Sequence, residues 1–266
     1  MADIFLPSQP LWIVVHFISP VFTLFGATQP QAENLALCVI ATIAGVIINS
    51  LFKRYGQQDV ICETPRWNYH LAIMFQLIVF PVIVVLAWDS KNFEKEWFEA
   101  GWATYPSMKY EWLFIYVLVA YLAKDFFVKM TFMLYLHHVV CLVGTLAWIF
   151  VPHEGVNCFT TGTMCLEVGS ASYNIWHLHP NTKASNPLFF LVMTGSNTLS
   201  LLAAWQFAQL PGVPTISRVC FLVTTIGLCI MRQKTCMDCC AAPKVNPGKE
   251  LSISQEEKGV GKASFS

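Results

Sequence analysis

Long apolar stretches recur along this chain and restrict its fold more than any other feature. Each is close to the ~20 residues that a bilayer-spanning helix needs. The predicted spans are about 11–27, 34–52, 68–88, 111–128, 131–150, 157–177, 187–208 and 214–231. Because Pro20 interrupts the first, we expect seven or eight spans in an all-α, polytopic transmembrane helical bundle.

Composition supports a membrane protein and excludes other classes. Of the 266 residues, 55% are hydrophobic and 12% are charged, whereas about 25% are charged in a soluble domain. The formal net charge is zero, so no basic surface is predicted to bind nucleic acid. The first ten residues contain no Lys or Arg, which favours a retained first span over a cleavable signal peptide.

The distribution of basic residues predicts the orientation of the bundle. With eight spans, ten Lys and Arg residues lie on one side and four on the other, which places the first side and the C-terminus in the cytosol. The predicted divisions are an N-terminal segment with the first span (1–33), a membrane domain (34–232) and a cytosolic tail (233–266). The end of the tail is rich in Lys, Gly, Ser and Glu, as is typical of a disordered segment.

The polar loop 89–112 is unusually aromatic. Phe93, Trp97 and Phe98 follow one another at helical spacing among acidic and basic residues. This pattern is typical of a short helix in the headgroup layer. Such a helix can anchor the loop in the membrane interface or act as a lid over a substrate site.

Three ionisable residues lie deep inside predicted spans. His137 and His138 are adjacent in the fifth span, and Glu167 is near the middle of the sixth. Ionisable groups at such depth are costly and mark a function by default. A short turn at 151–156 predicts that the two spans are antiparallel neighbours. At 1.5 Å per residue the imidazoles and the carboxylate then differ in depth by only about 2–4 Å, so we expect them to meet.

Polar residues also form one stripe along the sixth span. They recur at helical spacing and are Thr163, Glu167, Ser170 and Asn174. Such a stripe faces protein or a water-filled cavity rather than lipid. Tyr173 flanks the stripe, while Gly162 and Gly169 keep this helix slim enough for close packing.

Histidine paired with a carboxylate suits acid–base or nucleophilic chemistry. Consecutive helical residues diverge by about 100°, so we expect one histidine to act and the other to orient or bind. Glu167 would be the orienting carboxylate, and Asn174 or Tyr173 could donate to a developing oxyanion. The alternative is a purely structural role, in which these side chains form hydrogen bonds between helices that each stabilise the bundle by roughly 1 kcal/mol. With seven histidines, of which only this pair clusters in a span, no metal is expected.

Several short motifs resemble those of a known family. They are Tyr121-Leu-Ala-Lys-Asp125, then His137-His138 twelve residues after the aspartate, Glu167 in Leu-Glu-Val-Gly-Ser, Asn174 in Tyr-Asn-Ile-Trp, and Arg66-Trp67-Asn68 with His70. Over about residues 34–232 the chain resembles the TLC-domain family. That family includes the ceramide synthases and several small, multi-spanning TLC-domain proteins.

The resemblance implies a barrel-like core of six helices around a lipid-accessible cavity in the endoplasmic reticulum or another endomembrane. Ceramide synthases transfer an acyl chain from coenzyme A to a sphingoid amine, and His137 and His138 would fill that role. The synthases carry a His-Asp and a further Asp on the next helix. This chain has only Glu167 there, which favours the smaller relatives. Acyl-CoA would be a co-substrate, with no permanently bound cofactor.

Two functions follow as the leading hypotheses, and a transporter ranks third because the sequence shows no clear inverted repeat. One is a lipid acyltransferase-like protein of sphingolipid or phospholipid metabolism, and the other is a non-catalytic lipid-binding, membrane-composition or cargo-handling protein. Substrate-binding candidates are Asp125, Lys124, Tyr173, Ser170 and Thr163. Asp125 would either pair with Lys129 as a structural tie or position a coenzyme A headgroup through Lys124. Expected partners are membrane lipids and a second copy of the chain.

The ten cysteines do not form an obvious disulfide pattern, because most lie within predicted spans. Cys236, Cys239 and Cys240 follow the last predicted span, next to basic residues. Juxtamembrane cysteines of this kind suit S-palmitoylation. Free thiols are one alternative, and a zinc site is another, although it would need a fourth ligand.

Overall fold

Helices make up nearly all of the described chain, which confirms the predicted all-α class. The computed structural model describes residues 9–62, 64–93, 108–128, 132–150, 155–180 and 184–241. The helices in these ranges are α1 (Gln9–Leu24), α2 (Gln29–Tyr55), α3 (Arg66–Asp89), α4 (Lys109–Asp125), α5 (Phe132–Ala147), α6 (Val156–Leu178), α7 (Ser185–Gln209) and α8 (Thr215–Ala241). A short antiparallel hairpin, β1 (Val60–Ile61) with β2 (Thr64–Pro65), joins α2 to α3.

Four of these helices, α2, α3, α7 and α8, are long and apolar enough to cross a membrane. Two shorter apolar helical stretches are Ile13–Leu24 and Tyr135–Ala147. These features fit a membrane protein. Each predicted span overlaps one helix, while the number of seven or eight crossings and the barrel-like core stay predictions.

Helix α4 lies at the centre of the packing, in contact with α2, α3, α5 and α6. Phe114 and Ile115 are fully buried there. On the α2 side, the Tyr116 hydroxyl donates to Asn34 Oδ1 at 2.7 Å. The small Gly45 lets the α2 backbone approach Ala120, as small residues do between membrane helices.

Helix α3 is interrupted by a π-helical turn at Phe75–Val79, which the sequence did not predict. The N–H of Phe80 donates to the carbonyl of Phe75, five residues back. Pro81 follows and has no N–H to donate to the carbonyl four residues before it. The regular α-helical hydrogen bonds are therefore interrupted here. The turn carries Gln76, which is buried inside the bundle; such π turns are frequent at functional sites.

Helices α6 and α7 are closely packed, as the glycines of α6 predicted. A methyl group at Gly162 would lie 3.2 Å from the Ala203 Cβ, and one at Gly169 would overlap Ser196 Oγ. Gly169 therefore needs glycine for the observed approach, and a side chain at Gly162 would be tightly packed against α7. This part of the packing prediction is confirmed.

The fifth and sixth predicted spans are neighbours that line one cavity, but they are not closely packed on each other. Helix α5 packs mainly on α4, while α6 packs on α7 and α3. Aromatic rings next to the α5–α6 connection separate the two helices. The Trp148 ring lies 4.9 Å from that of Phe159 and 5.5 Å from that of Phe207, between centroids. Space consequently opens between α5 and α6.

Helix α8 continues past the predicted end of the last span, to Ala241. The predicted tail, 233–266, therefore begins as helix. Gln233 bonds to Thr194 of α7 at 3.0 Å, and Cys236 packs on Phe189 and Met193 of the same helix. These contacts stabilise the extra turns. Most of the aromatic loop, together with Lys129 and residues 242–266, lies outside the described residues.

Gly155, which precedes α6, provides a test of the fold. Its φ is +80°, and a side chain there would overlap the Phe207 ring. We expect Gly155→Ala to destabilise the protein by about 1–3 kcal/mol, the usual cost of a strained backbone position. Thermal unfolding in detergent micelles measures this. Gly195→Ala on α7 is the control, since nothing lies within 4 Å of its added Cβ. An equal decrease of Tm in the two variants would contradict the view that Gly155 needs its left-handed conformation and the space beside Phe207.

Candidate functional site

A cavity of about 400 Å³ occupies the space between α4, α5, α6 and α8. Its wall is mostly apolar. The polar side chains that line it are His137, Cys141, Thr145, Thr163, Glu167, Ser217, Cys220, Thr224, Thr225 and Arg232. An apolar hollow with a small number of polar groups is typical of small-molecule pockets, which measure about 300–1,000 Å³.

The two adjacent histidines face different surroundings. The His137 ring lines the cavity, whereas His138 Nε2 lies 3.0 Å from Asp125 Oδ2 in a buried contact. Their rings are nearly perpendicular, at 86°, with centroids 5.5 Å apart. The expectation that both imidazoles share one hollow with Glu167 is therefore wrong for His138, because consecutive helical residues point in divergent directions.

Asp125 is the centre of a buried charged cluster at the end of α4. One carboxylate oxygen contacts His138, and the other accepts a hydrogen bond from Lys124 Nζ at 2.5 Å. Lys124 is 1% exposed, and its ammonium lies 4.5 Å from the centroid of the Tyr121 ring. A buried lysine in an ion pair is badly placed to receive a coenzyme A headgroup, so that predicted role conflicts with the structure. The predicted tie to Lys129 lies outside the described residues.

Glu167 is held by a glutamine rather than by a histidine. Gln76 Nε2 donates to Glu167 Oε2 at 2.8 Å and to the Tyr121 hydroxyl at 3.0 Å. The same amide accepts a hydrogen bond from Asn174 Nδ2 at 2.8 Å. Gln76 thereby joins α3, α4 and α6, and Asp125, not Glu167, is the carboxylate that contacts an imidazole.

The polar stripe of α6 points into the protein along its whole length. Thr163 and Glu167 line the cavity, Ser170 accepts a hydrogen bond from Arg232, and Asn174 bonds to Gln76. Tyr173 lies elsewhere, with its ring 4.4 Å from that of His177 between centroids. It does not line the cavity, so its predicted role there is not supported.

Arg232 belongs to the cavity wall. Its Nε donates to Asn197 Oδ1 at 3.1 Å, and its Nη2 donates to the Leu166 carbonyl at 2.7 Å. Asn197 is near the middle of α7, so Arg232 lies inside the bundle. Its predicted cytosolic position assumes that the last span ends before residue 232. The longer α8 moves it to cavity depth.

One residue of this network has a clear sequence signal. Gln76 is the single polar residue between Leu71 and Trp88, and a lone amide in an apolar span needs a partner inside the protein. Asn197 has no comparable signal, because several hydroxyl-bearing residues surround it in α7. Tyr121 was noted only as part of a motif, and nothing local distinguishes its hydroxyl from other interfacial tyrosines.

The cysteines are free thiols throughout. Cys236 is 0% exposed, which conflicts with its predicted acylation, while Cys239 and Cys240 are partly exposed. In the ranges that the structure describes, no three His, Cys, Asp or Glu side chains come together as a metal site would require.

Comparison with known proteins provides no relative. No family model, curated protein or solved structure matches this chain. The functional reading therefore depends on the geometry of the cavity and its polar network, and the resemblance to the TLC-domain family stays a sequence-based expectation.

The Asp125 cluster provides a second test. Asp125→Asn removes the charge that neutralises buried Lys124, and breaking a buried ion pair in this way costs about 3–5 kcal/mol. Asp59→Asn is the matched control. Asp59 pairs with Arg66 at 2.6 Å, but its side chain is 54% exposed, so its loss should cost at most about 1 kcal/mol. Unfolding in detergent measures both, and similar losses would show that the buried cluster is not structural.

Proposed function

We propose that this chain is a lipid-handling membrane protein of the TLC type whose cavity holds one acyl chain. The observation that carries the proposal is the cavity of about 400 Å³, with an apolar wall and the ionisable groups His137, Glu167 and Arg232. An apolar wall favours a hydrocarbon chain through the hydrophobic effect. The few polar groups would fix the orientation of the headgroup.

The size of the cavity supports a single-chain ligand. Its volume is near the lower end of the range of about 300–1,000 Å³ for small-molecule pockets, which is little room for a two-chain phospholipid. Leu118, Leu122 and Phe159 are among the apolar residues that would contact the chain. The proposed ligand is thus a fatty acyl group, free or activated.

The proposed setting is the endoplasmic reticulum or another endomembrane, with the C-terminus in the cytosol. Without Arg232, the ten basic residues of the proposed cytosolic side become nine, still against four. This excess supports the same orientation as before. Cys239 and Cys240, at the cytosolic end of α8, are the cysteines proposed for reversible acylation.

A cavity-filling variant tests chain binding. Gly144 lines the cavity, and a Cβ at this position meets nothing within 4 Å, so Gly144→Phe should place its ring in the hollow without backbone strain. We expect binding of a photoreactive fatty acid by the purified full-length protein to fall at least tenfold. Gly195→Phe is the control, because Gly195 also faces open space but does not line the cavity. Undiminished labelling of Gly144→Phe would exclude this cavity.

Acyl transfer is the second candidate, and the position of His137 favours it. His137 lines the cavity, and the adjacent His138 is fixed by Asp125. In the proposed step, His137 takes the proton from an acceptor amine or hydroxyl as that group attacks the carbonyl of acyl-CoA. The new C–N or C–O bond forms, the C–S bond breaks, and the proton passes to the departing thiolate.

Transfer is separable from binding. His137→Ala should lower product formation about 10²–10⁴-fold, as expected for loss of a general base, while fatty acid labelling is retained. The measurement is lipid profiling of cells that carry the native chain, His137→Ala or Gly144→Phe, with expression checked in each. Unchanged products for His137→Ala, combined with a loss for Gly144→Phe, would exclude transfer at His137 and leave a non-catalytic binding protein.

A further inference from the structure

Arg232 is a charged group whose hydrogen-bond partners are all neutral. It donates to the Asn197 side-chain oxygen, the Ser170 hydroxyl and the Leu166 carbonyl, at 3.1, 2.6 and 2.7 Å. None of the ion pairs in the described part of the chain includes Arg232. A cation inside a membrane protein normally pairs with an acidic group or lines a functional pathway.

The guanidinium is held in place and still has donors to offer. A guanidinium has five N–H groups, and the three hydrogen bonds above use three of them. Gly169 provides the space for this position, because a methyl group there would overlap Arg232 Nη2. A fixed guanidinium at the cavity wall matches the planar geometry of a carboxylate or phosphate.

The other charged groups of the site form hydrogen bonds of their own, and Glu167 is the acidic group whose charge acts on Arg232. Lys124 and Asp125 pair with each other. Glu167 lines the same cavity, but its carboxylate accepts the hydrogen bond from Gln76 on the side of α3. Because Glu167 repels an anion, a negative headgroup would have to lie on the Arg232 side of the cavity.

We propose that Arg232 binds the oxyanion at the head of a single-chain lipid, with the hydrocarbon chain in the apolar part of the cavity. The oxyanion is the carboxylate of a long-chain fatty acid or the phosphate of a lysophosphatidic acid. This inference rests on the proposed function and specifies the ligand class. The ligand supplies an anionic hydrogen-bond partner for the guanidinium, whose hydrogen bonds within the protein go to neutral groups.

The test compares three probes that share one hydrocarbon chain. Palmitic acid, hexadecanol and palmitoyl lysophosphatidic acid are titrated, at mildly alkaline pH, against the full-length protein in nanodiscs of uncharged lipid. We expect one or both anionic probes to bind at least tenfold more tightly than the alcohol, since a hydrogen bond to a charged group contributes about that factor. The better anionic probe then identifies the source of the oxyanion.

Variants test whether the guanidinium causes the tighter binding of the anionic probes. Arg232→Gln should abolish the preference for the acid while leaving alcohol binding within about twofold, and Gly169→Ala, which displaces the guanidinium, should weaken the preference. Lys234→Gln is the control, because it removes one charge from an exposed position on the same helix. Glu167→Gln should act in the opposite direction and strengthen acid binding, since it removes a nearby negative charge and keeps an acceptor for Gln76.

The outcomes separate the two proposals. Equal binding of acid, phosphate and alcohol to the native protein would overturn the role of Arg232 and leave acyl-chain binding intact. Absence of binding by all three probes would overturn both. The native comparison needs no variant, so it decides the question even if Arg232→Gln fails to fold. A preference that survives in folded Arg232→Gln would also overturn the assignment.

Discussion

The structure depends on the rule that polar groups among apolar helices must find partners inside the protein. Gln76 satisfies this rule for three helices at once, because its amide bonds to Tyr121 of α4 and to Glu167 and Asn174 of α6. The π turn of α3 makes this contact available. An apolar residue at position 76 would leave all three partner groups without the amide that now joins them, which is far more costly than the loss of a single bond.

Uneven packing around α6 creates the cavity. On one side, glycines bring α6 close to α7. On the other, the Trp148, Phe159 and Phe207 rings separate α6 from α5. The apolar walls and the polar stripe then face a common space. The same residues that pack α6 closely on α7 and separate it from α5 therefore also give the cavity its amphipathic lining.

Much of the helical framework could be predicted from the sequence, since apolar length and breakers are local properties. His137 and Glu167 line one cavity, as their similar predicted depths indicate. The environment of His138 could not be predicted, because it depends on the rotation of α5 about its axis, which its neighbours set. Asp125 contacts His138 from another helix, and the sequence does not encode that approach locally. The position of Arg232 depended on where α8 ends.

Gly169 and Arg232 are sixty-three positions apart in the chain, yet one occupies the volume that the other leaves empty. Neither position can be substituted without affecting the other. A larger residue at position 169 would displace the guanidinium, and a shorter side chain at position 232 would leave a void beside Ser170. The two positions should therefore covary among homologous chains. Such covariation would show which homologous chains have the cationic pocket and which share only the helical fold.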